Sequence, residues 1–132
     1  MAANIVKLDY DPQRNIVFTE DEYQITIGAE VDAFIDQNQR FLETIGHKVY
    51  IISKIDGLRI GPAVAEYYGK RVREVFDQYL LGFARYGHDS TARMSVRTSS
   101  HRAKLVSNIY DTKEQAIEAI ERMKAENPVS KP

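Results

Sequence analysis

The period of the hydrophobic pattern switches repeatedly between two residues, as in a strand, and about 3.6, as in a helix, and this alternation limits the possible folds more than any other feature. Strand-like segments are predicted at residues 5–8, 16–18, 23–27, 48–53, 80–87 and 106–110, and helices at 30–45, 62–79, 89–104 and from 111 onward. The predicted order is β-β-β-α-β-α-β-α-β-α. Strands that alternate with helices indicate an α/β fold, with an open mixed, largely parallel sheet, an N-terminal β-hairpin and about four helices packed on the sheet.

Turn and cap residues set the boundaries of these elements. Asp11 and Pro12 favour a turn between the two hairpin strands, Gly46 suits the C-terminal cap of the first helix, and Pro62 suits the start of the second. Two connections are predicted from polar or glycine-containing sequence. The acidic run at residues 20–22 is expected to be solvated, and residues 56–62 are expected to form a loop.

Residues 89–104 carry two competing patterns. A strand-like alternation runs through Ala92, Met94, Val96 and Thr98. A spacing of four, as on one face of a helix, runs through Arg93, Arg97 and His101. We favour the helix, because Asp89 and Ser90 suit an N-terminal cap and because a following parallel strand must be reached by a crossover.

The length of 132 residues is that of one domain, and we expect a single domain at residues 1–126 followed by a disordered tail at 127–132. The absence of cysteine excludes thiol catalysis, disulfides and iron–sulfur clusters. The three histidines are too far apart for a short zinc motif, so we predict no metal and no cofactor. No signal-peptide pattern and no apolar run of the ~18 residues of a membrane span are present, and a cytoplasmic location is expected.

The net charge of −1 conceals a marked asymmetry along the chain. Residues 1–47 hold nine acidic and three basic residues, a net charge of −6, whereas residues 48–110 hold five acidic and eleven basic residues, a net charge of +6. The basic half is able to present a positive face to an anion. Alternatively, the two halves neutralise each other across the fold or between subunits.

Three segments carry a resemblance to a known family. The apolar strand at 49–52 leads through residues 56–58 into a long helix, the strand at 83–86 is followed by a long crossover, and residues 108–111 run into a helix containing Glu114 and Ala116. In this order the chain resembles the STAS domain, the sulfate-transporter and anti-sigma-factor-antagonist domain, and most of all its stand-alone SpoIIAA-like branch. The resemblance covers nearly the whole chain from about Tyr23.

The resemblance implies a phosphorylation switch that this sequence lacks. In STAS antagonists a Ser or Thr at the start of the helix after the central strand is phosphorylated by a partner kinase, and the added charge changes partner binding. Residues 56–62 hold no hydroxyl side chain here, and the nearest, Ser53, is expected within the strand. We therefore expect no phosphorylation of this segment, and none at Ser53.

Two stretches are candidate ligand-binding sites. The first comprises Asp56, Gly57, Arg59 and Gly61, in which the glycines let backbone N–H groups approach an anion beside the arginine. Alternatively, those glycines only shape a turn. The second is the densest basic stretch, with Arg85, Arg93, Arg97 and His101, which suits phosphate or other anionic groups. Its alternative is a solvated face paired with the acidic first helix.

These observations favour a non-enzymatic STAS-like domain that binds a protein partner or a small anionic or lipid-like ligand, without the usual phosphorylatable Ser or Thr. The alternative is a small enzyme or enzyme subunit with an anion-binding cleft around Asp56, Arg59 and the cluster of Arg85, Arg93 and Arg97. Specific nucleic-acid binding is not predicted, since no recognition motif is present. A homodimer formed through the edge of the opening hairpin is a third hypothesis.

Overall fold

A computed structural model describes residues 4–126, and the predicted tail at 127–132 lies outside the described residues. The elements are β1 (Ile5–Asp11), β2 (Ile16–Ile25), α1 (Gly28–Ile45), β3 (Val49–Ile60), a 3-10 turn (Pro62–Val64), α2 (Ala65–Tyr79), β4 (Leu80–Tyr86), α3 (Ser90–Arg102), β5 (Ile109–Tyr110) and α4 (Lys113–Glu126). The sheet order is β1-β2-β3-β4-β5. The pair β1–β2 is antiparallel and the other neighbours are parallel. The α/β class, the mixed and largely parallel sheet, the opening hairpin and the four helices are thus confirmed.

The sequence predicts three strands before α1, and the structure has two. Residues 16–18 and 23–27 were expected as separate strands, but β2 runs through the acidic residues between them because β1 and β3 bond to it on both sides. Its pairing with β3 shifts between Glu20 and Glu22, at Asp21. The prediction of an acidic connection is therefore wrong, and its expected solvation fails for Asp21, which is buried, but holds for the exposed Glu22.

The predicted loop at 56–62 is mostly strand. Residues 57–60 of β3 pair in parallel with residues 22–25 of β2, whereas β3 pairs with β4 only as far as Lys54. The glycine-rich composition suggested a turn, but cross-strand hydrogen bonds to β2 keep this backbone extended. The last predicted strand, in contrast, is shorter than expected and covers only Ile109 and Tyr110.

The two faces of the sheet are covered unequally. Successive residues of β3 alternate between them, so that Ile51 packs in the larger core with α1, α2 and α3, whereas Tyr50 and Ile52 pack in the smaller core with α4. Residues 89–104 contain helix α3, as predicted, and Asp89 caps it by accepting a 2.8 Å hydrogen bond from Ala92 N. Among the described residues, no helix is both long and apolar enough to span a membrane.

Candidate functional site

A row of polar side chains crosses the sheet on the face that carries α1 and α2. Thr19 of β2 is the register neighbour of Ser53 in β3, and Ser53 is the neighbour of Arg85 in β4. Cross-strand neighbours project to the same face of a sheet, so the row points into the larger core. Polar groups in such a position are costly unless they have partners, and this cost makes the row a candidate site.

Arg85 is the charged centre of this row. Its side chain is only 5% exposed and its guanidinium carbon lies 4.9 Å from the ring centre of Phe83 and 5.6 Å from that of Phe76. Nη1 donates a 2.7 Å hydrogen bond to the Ser107 carbonyl. Within residues 4–126 this is the side chain's one hydrogen bond, and no carboxylate lies within ion-pair distance. A buried guanidinium with five N–H donors thus has most of its capacity unused.

Asp21 adds a buried carboxyl group beside Arg85. The side chain is 5% exposed, and burial raises the pKa of Asp21 to about 7, against the smaller opposing effects of the Thr19 hydroxyl and the Arg85 charge. Among the described residues, Asp21 Oδ1 and Thr19 Oγ1 have no hydrogen-bond partner. Orphaned buried polar atoms of this kind call for water or a ligand.

A cavity of about 40 Å³ lies between these groups and the helices. Its polar lining comes from five side chains: Asp21, Asn38, Ser53, Tyr68 and Arg85. The rest of its wall is apolar and is formed by Phe34, Leu42, Ile51, Ile55, Leu58, Val72, Val75, Phe76 and Leu80. Burial raises the pKa of Tyr68, so its phenol is neutral. A space of this size holds from one to about three water molecules or a group of a few heavy atoms.

Asp56, the first predicted site residue, connects β3 to the turn before α3. Its Oδ1 accepts hydrogen bonds from the backbone N–H groups of His88, at 2.7 Å, and Asp89, at 2.9 Å. The approach is so close that a Cβ on Gly87 would lie 2.6 Å from the same oxygen. This carboxylate therefore has a structural task that is independent of any ligand.

Both arginines near this turn are also engaged within the chain. Arg59 donates to the Asp56 and Leu58 carbonyls and forms a 3.1 Å ion pair with Asp89. Arg93 donates to the Gly87 carbonyl and, at 2.8 Å, to Asp111. That hydrogen bond and the charge of Arg93 hold the pKa of Asp111 below its usual value. The ion pairs Arg59–Asp89 and Arg93–Asp111 thus stabilise the β4–α3 turn.

The remaining predicted residues do not converge on one place. Arg97 and His101 are exposed on α3, and Gly57 is exposed beside Glu22. Gly61 contributes its backbone N–H to the Ile25 carbonyl, at 2.7 Å. Arg85 is interior, and Ser53 lies half-buried in β3 and faces the cavity. The structure therefore separates Arg85 from Arg93 and Arg97, which the sequence had grouped together.

The sequence pattern did not single out Thr19, Asp21 or Tyr68 as site residues. For the first two the sequence does carry a signal, because from Val17 onward the buried side chains of β2 alternate: Val17, Thr19, Asp21, Tyr23 and Ile25. An uninterrupted period of two through the acidic run would have placed Asp21 inside. Across residues 4–126, no group of three or more His, Asp or Glu side chains is arranged to hold a metal ion.

Asp56→Ala is expected to lower the free energy of unfolding by about 1–3 kcal/mol, because two backbone N–H groups lose their acceptor. Urea denaturation measures the change, and faster hydrogen exchange at the amides of His88 and Asp89 localises it. Asp36→Ala, at an exposed position on α1, serves as the control and is expected to have little effect. Unchanged exchange at both amides would show that Asp56 does not hold the turn.

Comparisons with known proteins agree with this architecture. No protein-family model matches the chain, and no curated protein sequence matches it. Among solved structures, the chain is similar to the anti-sigma factor antagonist SpoIIAA in its unphosphorylated form, with a TM-score of 0.57 and 16% sequence identity. The match covers 92% of this chain and 97% of that one. The chain therefore has the STAS-like fold of SpoIIAA.

Proposed function

We propose that this chain is a non-enzymatic STAS-like domain that binds a small anionic, lipid-like ligand in the interior cavity. The observation that carries the proposal is the buried guanidinium of Arg85, which borders the cavity without an ion-pair partner in residues 4–126. A buried charge without an ion-pair contact is costly, and an anion in direct contact with Arg85 offsets the cost through Coulomb attraction and charge-assisted hydrogen bonds.

The apolar wall accounts for the lipid-like part of the ligand. Side chains from α1, α2 and the sheet surround the polar lining, so an aliphatic tail attached to the anion would lie among hydrocarbon. The cavity of about 40 Å³ accommodates only the anionic head group of such a molecule. A longer aliphatic tail requires α1 and α2 to move away from the sheet, and this requirement limits the length of the tail.

The cavity offers little for catalysis. None of the three histidines lines it, and Ser53 therefore has no imidazole base beside it there. The alternative, an enzyme acting at Asp56, Arg59 and Arg93, must use groups that already hold the β4–α3 turn. Ligand binding without catalysis accounts for the buried polar row and leaves the structural roles of Asp56, Arg59 and Arg93 undisturbed.

Calorimetric titration with straight-chain carboxylates from acetate to octanoate tests the proposal. Affinity is expected to rise about fourfold for each added methylene, or about 0.8 kcal/mol, until the tail exceeds the cavity. Arg85→Met is expected to weaken binding at least tenfold, about 1.4 kcal/mol, because the counter-charge is lost. Arg85→Lys keeps the charge and is expected to retain part of the affinity.

Arg97→Met is the matched control, since it removes an exposed arginine that lies outside the cavity. It is expected to bind as the unaltered chain does. Circular dichroism confirms that each variant is folded before it is titrated. The proposal fails if none of the carboxylates binds, or if a folded Arg85→Met variant binds them with unchanged affinity.

A second candidate function is protein-partner binding, which one surface feature favours. Ile27, 58% exposed, and Tyr67, 41% exposed, lie where α1 and α2 begin, with Tyr67 held by a 2.6 Å hydrogen bond to Asp32. Exposed apolar and aromatic side chains are typical of interaction surfaces. The similar protein SpoIIAA is an anti-sigma factor antagonist. Any such binding here would proceed without a phosphorylated hydroxyl in residues 56–62.

A further inference from the structure

The two buried ionisable groups of the cavity, Asp21 and Arg85, link anion binding to a proton. We propose, resting on the function proposed above, that the ligand is a carboxylate monoanion that binds together with one proton, and that Asp21 carries this proton and donates it in a hydrogen bond to a ligand oxygen. Arg85 supplies the positive charge. Asp21 is then the residue that determines which class of anion the cavity accepts.

The geometry brings the necessary groups to one place. Asp21 and Arg85 line the same 40 Å³ cavity, and each is 5% exposed. Asp21 Oδ1 is buried and lacks a hydrogen-bond partner among the described residues. The charged and titratable groups that interact with Asp21 are Arg85 from β4 and Tyr68 from α2. Helix α1 and strand β3 contribute only the uncharged Asn38 and Ser53.

The charges of Asp21, Arg85 and the ligand determine that anion binding is coupled to the uptake of a proton rather than to its release. When Asp21 is ionised, its charge and that of Arg85 cancel, and an arriving monoanion leaves a net charge of −1 in a largely buried site. When Asp21 is protonated, Arg85 and the monoanion cancel instead. Burying an uncompensated charge is strongly unfavourable, so the complex forms with the protonated carboxyl.

The protonated carboxyl also supplies the missing donor. An ionised carboxylate only accepts hydrogen bonds, whereas a carboxylic acid has one O–H to donate, and an O–H donor to an anionic oxygen forms a strong hydrogen bond. Because burial raises the pKa of Asp21 to about 7, both protonation states are populated near neutral pH. Proton uptake is therefore measurable under ordinary conditions.

This arrangement discriminates between ligand classes. A carboxylate monoanion satisfies Arg85 and accepts from Asp21 at once. A primary alkylamine places a second positive charge beside Arg85, and a methyl ester lacks the charge that Arg85 requires. A phosphate dianion leaves one negative charge uncompensated even with Asp21 protonated.

Titration calorimetry with sodium propionate, a carboxylate small enough for the cavity, tests the proposal between about pH 6 and pH 9 in two buffers of different ionisation enthalpy. We expect proton uptake to approach one proton per bound propionate at the alkaline end, with affinity falling up to tenfold per pH unit above about pH 7. Asp21→Asn, whose amide donates without titrating, is expected to bind propionate with no pH dependence and no proton uptake. Asp36→Asn is expected to keep the pH dependence of the unaltered chain.

The possible outcomes separate the two proposals. Propionate binding that requires Arg85 but takes up no proton overturns the role of Asp21 and leaves the proposed ligand site standing. A folded Asp21→Asn variant that no longer binds propionate overturns that role as well, since the amide should replace the protonated carboxyl. If the unaltered chain binds propionate at no pH, the ligand site and the proton coupling are both wrong. Propylamine and methyl propionate are expected to bind at least tenfold more weakly, and equal affinity for either contradicts the stated selectivity.

Discussion

Asp21→Asn is expected to raise the free energy of unfolding by up to about 4 kcal/mol at pH 8. The pKa of Asp21 is about 7 in the folded chain, against 3.8 for the unperturbed group, and each pKa unit corresponds to about 1.4 kcal/mol. As the pH rises, the unfolded chain releases this proton first. The unaltered protein therefore loses stability between about pH 4 and pH 7, and the loss is complete above the folded-state pKa. The amide does not ionise and avoids this loss.

Urea denaturation at pH 4 and pH 8 measures the effect. The two proteins are expected to differ by less than about 1 kcal/mol at pH 4, where Asp21 is protonated in the folded chain and about half protonated in the unfolded chain, and to differ most at pH 8. Asp36→Asn, at an exposed site on α1, is the matched control and should follow the unaltered chain at both pH values. If the free energies of unfolding of the Asp21→Asn variant and the unaltered protein change with pH in the same way, Asp21 is not a buried acid of raised pKa.

Gly69→Ala is expected to lower the free energy of unfolding by about 3 kcal/mol. In an ordinary helix interior this change is stabilising by about 1 kcal/mol, because alanine has the higher helix propensity. At Gly69, however, α2 lies directly against α3, and a Cβ would overlap the Ser99 carbonyl oxygen and lie 2.9 Å from the Ala103 Cβ. Ser99 O already accepts from Ala103 N at the end of α3, so it cannot retreat without loosening that helix. The steric overlap of the added methyl group therefore destabilises the fold more than the higher helix propensity of alanine stabilises it.

Thermal unfolding gives the simplest readout of this change. A loss of about 3 kcal/mol corresponds to a fall in Tm of about 10 °C for a domain of this size. Gly28→Ala in α1 is the matched control, since its Cβ would meet nothing closer than Tyr67 Cε2, at 3.8 Å. That variant is expected to be neutral or slightly more stable. A Gly69→Ala variant as stable as the Gly28→Ala variant would contradict the close packing of α2 on α3.

Local signals in the sequence determined most of the element order. The apolar stripe of α1 ends at Gly46, which adopts the left-handed φ of +84° that a glycine cap allows, and Asp89 caps α3 as its position suggested. Helix periodicity and caps act over a few residues, so one sequence suffices to predict them. The alternation of these helices with apolar strands then indicated the α/β class, and the resemblance of three segments to the STAS domain implied its fold.

Tertiary structure alone decided the course of β2 and β3 and the composition of the site. The acidic run at 20–22 and the residues at 56–60 are poor strand formers by composition, yet each is held extended by hydrogen bonds to strands distant in the chain. Asp21, Ser53 and Arg85 come from three different strands and meet only because the parallel register aligns β2, β3 and β4. Burial and the raised pKa of Asp21 depend on the helices packed above that row, and these non-local contacts leave no short-range pattern in the sequence.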